Sequence, residues 1–504
     1  MVKRVPITAG DLFDHQAGSD DVLIGVANAT NVLFGDAGQD IRDHAVGGND
    51  TFTGGANSTN SFFGDAGRDM LDHAVGGNDA FTDGGFTNST FYGDAGGNMS
   101  GYARGGDDTG EAAPAPGTIL PHITFYGDAG GNMSDHAAGG NDTFDAFIAP
   151  AILPHITFYG DAGGNMSDSA HGGDDTFSAN AARSDLVFYG DAGGDMSGIA
   201  AGGNDTFTTT GLEDNNYFYG DAGGSMTGQA AGGNDTLTVS GLNPFNFFYG
   251  DAGRDMSGYT QGGNDTFTTS GFAADFVNTF YGDAGGNMLG HAIGGNDTFT
   301  AGGGRNTFFG DAGGTISDNA QGGDDTFIGG APAGTRGINL AYGDALVMSG
   351  NAHGGNDTLI GGDDATPQPA GTFDNTMIGD AQTMSGKACG GNDKLISGTG
   401  NDDMWGDAQV ILGKAQGGND TFSFNFNNDH DKIEDFGQGV QSVAGSNWGT
   451  DHIDVTALGI TDFSELSISA FDPTTHESTI TFSSGNDVIV HSQVALTSHD
   501  FLLA

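Results

Sequence analysis

The chain is poor in several residue types on which many proteins rely. Its 504 residues contain one cysteine, Cys389, and only 13 lysines and arginines together. A single cysteine rules out a disulfide within the chain. The scarcity of positive charge argues against nucleic acid and against an anionic membrane surface as partners, because both are bound through basic patches.

Long apolar segments are also missing. No run of 18 apolar residues occurs, so we expect neither a transmembrane helix nor membrane insertion. The first ten residues carry Lys3 and Arg4 without an apolar segment after them, which is not the pattern of a cleaved secretory signal peptide. We therefore expect either a cytosolic protein or one that is exported by a signal elsewhere in the chain.

Glycine and acidic residues are abundant instead. The chain has 94 glycines and 66 aspartates and glutamates, and its formal net charge is −53. A free chain of this charge repels itself and stays expanded. Folding therefore requires bound cations, and hard divalent cations prefer carboxylate and carbonyl oxygens. Calcium is the expected ligand.

Two short motifs recur thirteen times each along the chain. The first motif is Gly-Asp-Ala, with its aspartates at Asp36, Asp65, Asp94, Asp128, Asp161, Asp191, Asp221, Asp251, Asp283, Asp311, Asp344, Asp380 and Asp407. The second motif is Gly-Gly-Asn/Asp-Asp, with its last aspartates at Asp50, Asp79, Asp108, Asp142, Asp175, Asp205, Asp235, Asp265, Asp297, Asp325, Asp357, Asp393 and Asp420. Each copy of the second motif follows a copy of the first.

The distance between the motifs divides each repeat into a fixed and a variable part. The second motif begins 12 residues after the first in ten repeats and 11 residues after it in the last three. From the second motif to the next copy of the first, the distance varies between 16 and 25 residues. A fixed part suits a stacked coil that binds a ligand, and a variable part suits a loop exposed to solvent.

The repeats predict an all-β protein, a right-handed parallel β-solenoid (β-roll or β-helix) of about thirteen coils with a C-terminal β cap. Short β-branched and aromatic segments end at glycine-rich turns, and no segment has a helical apolar period. We favour one coil of about 30 residues per repeat over a shorter two-strand coil with an insertion. Two ladders of stacked phenylalanines are expected inside, one through Phe125, Phe158 and Phe188, and one through Phe144 and Phe177.

Three regions are expected. Residues 1–34 form an N-terminal cap and a degenerate first coil, residues 35–422 form the calcium-binding solenoid, and residues 423–504 form a C-terminal cap. In the last region glycine becomes rarer and alternating apolar strands occur. A solenoid needs such a different terminal unit to cover its last apolar layer.

The motifs resemble a known family. Residues 250–256, Gly-Asp-Ala-Gly-Arg-Asp-Met, resemble the nonapeptide G-G-x-G-x-D-x-U-x of hemolysin-type (RTX) repeats, with aspartate in place of the second glycine. Residues 262–267 resemble its second half, and residues 398–406 are the most faithful copy. The resemblance covers residues 17–422 and implies a secreted, calcium-binding β-solenoid with an ion between adjacent coils.

The second motif supplies most of the predicted calcium ligands. In its first two copies they are Gly47, Gly48, Asn49, Asp50, Gly76, Gly77 and Asp79. In the other eleven copies the ligand is the last aspartate of the motif, from Asp108 to Asp420 as given above. Asp402, from the faithful nonapeptide, completes the set.

The first motif contributes a second column of predicted ligands. These are the aspartates of its first ten copies, from Asp36 to Asp311. A residue four positions later, for example Asp69, is a further candidate. In the last three copies the turn is one residue shorter and its following glycine is lost, so we expect empty or altered sites there. Hydrogen bonding within an Asx-turn is the alternative role for this aspartate.

The end of the chain points to the export route. Residues 423–504 look like the C-terminal domain of serralysin-type RTX proteins and end in a similar Asp-Phe-Leu tail at residues 500–502. The resemblance implies an uncleaved signal for type I secretion. We therefore expect a secreted, extracellular protein, in some settings attached to a cell surface, with the type I secretion machinery as a partner.

Three functions are compatible with the sequence. The first is a structural or interaction protein of a surface layer, matrix or filament, which assembles with itself or binds a cell-surface polysaccharide. The second is an adhesin or ice-binding solenoid with a threonine ladder, such as Thr206, Thr236 and Thr266. The third is a polysaccharide-modifying enzyme with carboxylates in its loops. We expect no enzyme, since the chain has neither a His-Glu-x-x-His nor a Gly-x-Ser-x-Gly motif, and no organic cofactor.

Overall fold

The computed structural model describes residues 10–85, 88–112, 122–147, 155–180, 185–210, 215–241, 245–270, 277–330, 337–362, 375–437 and 450–504. Parallel strands form a β-solenoid of about 12 turns with repeats of about 30 residues and almost no helix. The predicted fold class is therefore confirmed. Strands pair with the equivalent strands one repeat away, as His122–Tyr126 does with His155–Tyr159, so each repeat is one coil.

Each coil contributes to three parallel sheets. The first sheet contains the strand that follows the second motif, and the second sheet contains the strand that precedes the first motif. The third sheet lies after the glycine-rich turn of the first motif, where an inward methionine pairs along the stack, as Met133 does with Met166. β-branched and aromatic residues form the strands because they pack well on a pleated surface, and glycines break the strands at the turns.

One compact unit extends to Arg254 and includes Tyr259–Gly263. The strands of its first sheet are Val22–Ile24, Thr51–Thr53, Ala80–Thr82, Thr109–Ala112, Thr143–Phe147, Thr176–Asn180, Thr206–Thr209 and Thr236–Ser240. Those of its second sheet are Thr30–Phe34, Thr59–Phe63, Asn88–Tyr92, His122–Tyr126, His155–Tyr159, Asp185–Tyr189, Asn215–Tyr219 and Phe245–Tyr249. The third sheet has the strand Met226–Gly228 and single-residue bridges in the earlier coils.

The other compact unit comprises Asp255–Gly258 and the chain from Asn264 onward. Its first sheet has Thr266–Ser270, Thr298–Thr300, Thr326–Ile328, Thr358–Ile360, Lys394–Ile396, Thr421–Ser423, His452–Asp454 and Phe501–Leu502. Its second sheet has Val277–Tyr281, Gly304–Phe309, Gly337–Tyr342, Asn375–Ile378, Asp402–Trp405, His430–Phe436, Ser467–Ile468, Glu477–Ser483 and Asn486–Ser492. Its third sheet has Met256–Gly258, Met288–Gly290, Ala312–Ile316, Ala345–Met348, Ala381–Met384 and Ala408–Ile411.

Stacked phenylalanines form the apolar core. Phe158 is fully buried, and its ring packs against Phe125 and Phe188 in the second sheet, with centroid distances of 5.3 and 5.1 Å. It also contacts Phe144 and Phe177, which come from the first sheet. Both predicted ladders are confirmed, and they pack against each other inside the solenoid.

A ladder of asparagine side chains runs beside the phenylalanines. Asn306 points inward from the second sheet and is 1% exposed. Its amide nitrogen donates to Asn339 Oδ1 at 2.7 Å, and Asn339 donates in turn to Asn375 Oδ1 at 2.6 Å. We call this set the asparagine ladder. It satisfies buried amides by stacking them, since each amide is both donor and acceptor.

The C-terminal segment continues the sheets and then changes direction. His452–Asp454 and Phe501–Leu502 extend the first sheet in parallel. Asn486–Ser492 pairs in parallel with His430–Phe436 but antiparallel with Glu477–Ser483. Three single-turn 3-10 helices, Thr456–Leu458, Phe463–Glu465 and Ser498–Asp500, connect these strands. Within the described residues, no helix has the length and apolarity needed to cross a bilayer.

Candidate metal centre

The aspartates of the two motifs face each other inside the solenoid. Gly77, the second glycine of a second motif, donates its backbone N–H to Asp65 Oδ2 at 2.7 Å. Gly106 donates in the same way to Asp94 Oδ2 at 2.9 Å. Donor and acceptor are 12 residues apart in both cases. The fixed spacing of 12 residues between the motifs therefore places the aspartate of the first motif opposite the glycine of the second motif, across the interior of the coil.

The shortened repeats keep the same contact. Gly355 donates to Asp344 Oδ1 at 2.9 Å, and Gly391 donates to Asp380 Oδ1 at 2.7 Å, each across 11 residues. The shortening is seen in the third sheet, where the last full-length turn pairs with the first shortened one and the strand register shifts between Ala312 and Thr315. Shortening the turn therefore alters its outer side and leaves the aspartate in the interior.

The second-motif aspartates are connected along the stack by hydrogen bonds. The backbone N–H of Asp108 donates to Asp142 Oδ1, and that of Asp142 donates to Asp175 Oδ1, both at 2.6 Å. The other carboxylate oxygen is buried and accepts no hydrogen bond. This is true of Oδ2 in Asp50, Asp79, Asp108, Asp142, Asp175, Asp205, Asp297, Asp325, Asp357, Asp393 and Asp420. Unsatisfied buried carboxylate oxygens of this kind are costly, and a bound cation or proton would satisfy them.

The first-motif column has the same feature. One buried carboxylate oxygen accepts no hydrogen bond in Asp65, Asp94, Asp191, Asp221, Asp311, Asp344 and Asp380. Burial raises the pKa of Asp65 and of Asp94, in neighbouring coils, well above the ordinary value. The aspartates of the first motif bond to a glycine N–H 11 or 12 residues later. An Asx-turn would instead bond to the backbone two residues on, so these aspartates do not form one.

Glycines make room for these carboxylates. A Cβ atom on Gly127 would overlap Asp142 Oδ2 and the carbonyl oxygen of Gly160. A Cβ atom on Gly139 would overlap Asp161 Oδ1. Both motifs therefore need glycine because the adjacent space is filled by oxygen atoms. A carboxylate oxygen and a carbonyl oxygen lie side by side there, and a cation is what such a pair of acceptors can share.

Burial raises the pKa of the interior aspartates. It raises the pKa of Asp50 to about 8 and that of Asp128 to about 6. For Asp142, burial and the carboxylates of Asp128 and Asp108 raise the pKa well above its ordinary value. The two columns place two carboxylates in each coil, and neighbouring coils are about 4.8 Å apart. Such a stack holds protons or cations, because full ionisation at close range in a buried site is too costly.

The donor chemistry suits a hard cation. In the described part of the chain, no three His, Cys, Asp or Glu side chains converge as a ready set of metal ligands. The interior offers two carboxylates per coil together with backbone carbonyl oxygens, and Ca²⁺ accepts mixed shells of this kind. Nitrogen and sulfur ligands, which Zn²⁺ and Cu²⁺ favour, do not belong to this column. The histidines lie outside it, and the rings of His44 and His73 stack in parallel at 4.9 Å.

Other predicted ligands lie elsewhere. Asn49 is exposed, and its side chain accepts a hydrogen bond from the backbone of Asn78 on the outer surface. Asp402 lies at the end of the asparagine ladder, where Asn375 donates to it and its own N–H donates to Asp431 Oδ1 at 2.9 Å. Asp69 lies on the outer face as well, where it accepts the backbone N–H of the next coil.

Two aspartates that the motifs did not predict extend the columns. Asp435 accepts hydrogen bonds from the backbone of Gly406 at 2.8 Å and of Asp407 at 3.1 Å, and so follows the first-motif column. Asp451 accepts from the N–H of Asp420 at 3.0 Å and follows the second-motif column. A sequence signal existed for Asp451, because it precedes a strand with an apolar residue two positions later, as Asp420 does. Asp435 had no such signal.

Comparison with known proteins gives no relative. No protein-family model matches the chain, and no curated protein or solved structure does either.

Proposed function

We propose that this chain is an extracellular calcium-binding structural or interaction protein whose solenoid folds when calcium enters the interior column. The observation that carries the proposal is the two columns of buried aspartates, in which pairs such as Asp94 and Asp108 each have a carboxylate oxygen that accepts no hydrogen bond. At one such site, Asp94 and Asp108 would hold the ion together with the carbonyl oxygen of Gly127 in the next coil, which lies beside Asp108 Oδ2. When bound, the cation neutralises the column and links neighbouring coils.

Calcium and export form one mechanism in this proposal. At the low free calcium of a cytosol, the charge of −53 keeps the chain expanded and suitable for transport. Outside the cell, calcium binds only the folded chain and stabilises it by linkage. The RTX resemblance and the serralysin-like end of the chain support type I secretion as the route.

A structural role fits the distribution of the repeats. They occupy the greater part of the chain, and their chemistry is directed inward, where carboxylates hold the coils together. The outer faces and the variable loops remain for contacts with a surface layer, a matrix or other copies of the chain.

A second candidate function, an adhesin or ice-binding solenoid, is favoured by the outer face of the first sheet. Thr143, Thr176, Thr206 and Thr236 pair in register along it. Thr208 and Thr238 form the start of a second row two positions further on. Regular rows of hydroxyls suit a ligand that is itself periodic. Electron microscopy with and without calcium separates the two candidates, since a surface-layer or filament protein assembles and an adhesin stays monodisperse.

A calcium titration followed by far-ultraviolet circular dichroism tests the main proposal. We expect metal-free protein at neutral pH to lack most of the β signal and to gain it cooperatively as calcium is added. Magnesium serves as the control, because it demands a smaller octahedral shell and keeps its water. Full β signal and an unchanged melting temperature in the metal-free protein would refute the proposal.

A further inference from the structure

A groove lined mainly by polar residues runs along the outside of the third sheet in the unit that extends to Arg254. Its volume is about 550 Å³. One wall is a column of amides and carboxylates that we call the amide column: Asp69, Asn98, Asn132, Asn165 and Asp195. The other wall is formed two positions further along each coil, by Leu71 beside Asp69 and then by a column of serines that we call the hydroxyl column: Ser100, Ser134, Ser167 and Ser197. The groove therefore crosses several successive coils and changes little from one to the next.

Backbone contacts hold the amide column in a fixed orientation. The N–H of Asn132 donates to Asn98 Oδ1 at 2.9 Å, and the N–H of Asn165 donates to Asn132 Oδ1 at 2.8 Å. The NH₂ groups take part as well, since Asn98 donates to Asp69 Oδ1 at 3.2 Å and Asn132 donates to Asn98 Oδ1 at 3.3 Å. Each NH₂ group has a second N–H, which these exposed side chains can offer to a ligand. A side chain that is already ordered loses little entropy when it binds a ligand.

The groove therefore presents a regular row of hydrogen-bonding groups. From Asn98 to Ser197, each coil adds one amide or carboxylate and one serine hydroxyl, and neighbouring coils are about 4.8 Å apart. The rise of one sugar unit in an extended β-linked chain is close to this spacing. Asparagine, aspartate and serine side chains are suited to sugar hydroxyls, which both donate and accept hydrogen bonds.

We propose that this groove binds an extended, neutral, β-linked polysaccharide chain along the solenoid. The net charge of −53 disfavours a polyanion. A peptide strand adds to a sheet through unpaired backbone groups, whereas the backbone on this face is already paired, as at Met133 and Met166. The inference deepens the proposed function by naming a partner, and it rests on that function because the groove exists only in the folded solenoid.

The other unit continues the amide column at Asp255 and Asn287 and lacks it at the later positions. Thr315, Val347, Thr383 and Val410 occupy them in register. Valine offers no hydrogen bond to a sugar, and Val410 is 44% exposed. The same chain therefore contains an equivalent face that should not bind the polysaccharide, and this face provides a matched control.

Calorimetry with the full chain in calcium tests the proposal, using neutral β-1,4-glucan fragments from a disaccharide to an octasaccharide. We expect affinity to rise with length until the fragment spans the coils from Asp69 to Asp195. Ser134→Trp fills the groove and should weaken binding by about tenfold or more, a loss of at least about 1.4 kcal/mol. Ser385→Trp is the control, because Ser385 also follows an inward methionine and donates its N–H one coil back, at 2.9 Å against 3.0 Å for Ser134.

Four outcomes would overturn the inference: no binding by protein that is folded, affinity that does not depend on length, equal affinity in Ser134→Trp, or equal loss in Ser385→Trp. Equal binding of an extended serine and asparagine peptide would assign the groove to a peptide and overturn it as well. Circular dichroism of the same samples with and without calcium reports on the proposed function separately. A protein that folds with calcium but binds no glucan refutes the groove assignment alone.

Discussion

At the scale of single residues, the position of a carboxylate matters more than the number of carboxylates. Asp174 and Asp175 are neighbours in one second motif, yet Asp174 is exposed and Asp175 is 1% exposed. Asp174 accepts hydrogen bonds from the next coil on the surface. Asp175 has one oxygen bonded to the N–H of Asp142 and one that accepts none. Part of the large negative charge is therefore inside the protein, and the surface is less acidic than the composition suggests.

This pair gives a prediction with its own control. Asp175→Asn keeps an acceptor for the N–H of Asp142 but replaces a candidate calcium ligand by an amide. We expect the calcium-loaded protein to lose about 1–3 kcal/mol of unfolding free energy, the cost of a lost interaction with a charged group. The metal-free protein should become more stable at neutral pH, because asparagine, unlike aspartate, needs no proton to be buried without charge.

Urea unfolding of both forms, with and without calcium, measures the two effects. Asp174→Asn is the control and should change neither by more than about 0.5 kcal/mol, as for most surface substitutions. Equal effects of the two substitutions would show that the interior carboxylates have no special role.

At the scale of strands and ladders, the sequence predicts apolar stacking better than polar stacking. The phenylalanine ladders follow from strand propensity and the repeat alone. The asparagine ladder was not predicted, because an asparagine within a strand normally indicates exposure or a turn. Asn306 can be buried only because Asn339 in the next coil has the same orientation. A partner one repeat away is not visible in the local sequence.

The candidate site shows a similar limit. The motifs identified the aspartates of both columns, but the spacing along the chain does not say which sides of a coil face each other. The structure shows that the two motifs of a coil face each other, as the hydrogen bond from the Gly77 N–H to Asp65 demonstrates. Asp402 matched the nonapeptide well and nevertheless lies in the asparagine ladder, because an inward strand position and not the motif determines its neighbours.

Breaking the asparagine ladder should destabilise the solenoid. Asn306→Ala removes the amide that donates to Asn339 Oδ1, so that this buried oxygen loses its donor in the ladder. We expect a loss of about 1–3 kcal/mol in unfolding free energy, measured by urea unfolding in saturating calcium. Thr307, the next residue, points outward, and Thr307→Ala should cost less than about 0.5 kcal/mol. A larger effect at Thr307 than at Asn306 would contradict a stabilising ladder.

At the scale of the whole molecule, protons and calcium compete for the interior column. Burial raises the pKa of Asp50 to about 8 and that of Asp128 to about 6, whereas an unfolded aspartate has a pKa of about 3.9. Proton binding therefore stabilises the folded, metal-free chain. That stability is complete below about pH 4 and is lost as the pH rises through about 6 to 8. Calcium needs deprotonated ligands, so its contribution increases over the same range.

Melting temperatures from about pH 4 to pH 9 test this competition. Protein made metal-free by dialysis should melt at a lower temperature as the pH rises, and calcium-saturated protein at a higher one. The two curves should therefore diverge above about pH 6. A metal-free protein that becomes more stable with rising pH would show that the aspartates are ionised without a cation, which contradicts the geometry of the column.

The depth of the column also determines how an ion could leave it. Asp128 and Asp142 are 0% and 1% exposed, so solvent does not reach their carboxylates while the coils are closed. Under the proposed function, calcium is enclosed while each coil winds onto the one before it. It escapes only when that coil unwinds. The residence time of the ion is then set by the opening of the backbone, and adding more chelator would not hasten its release.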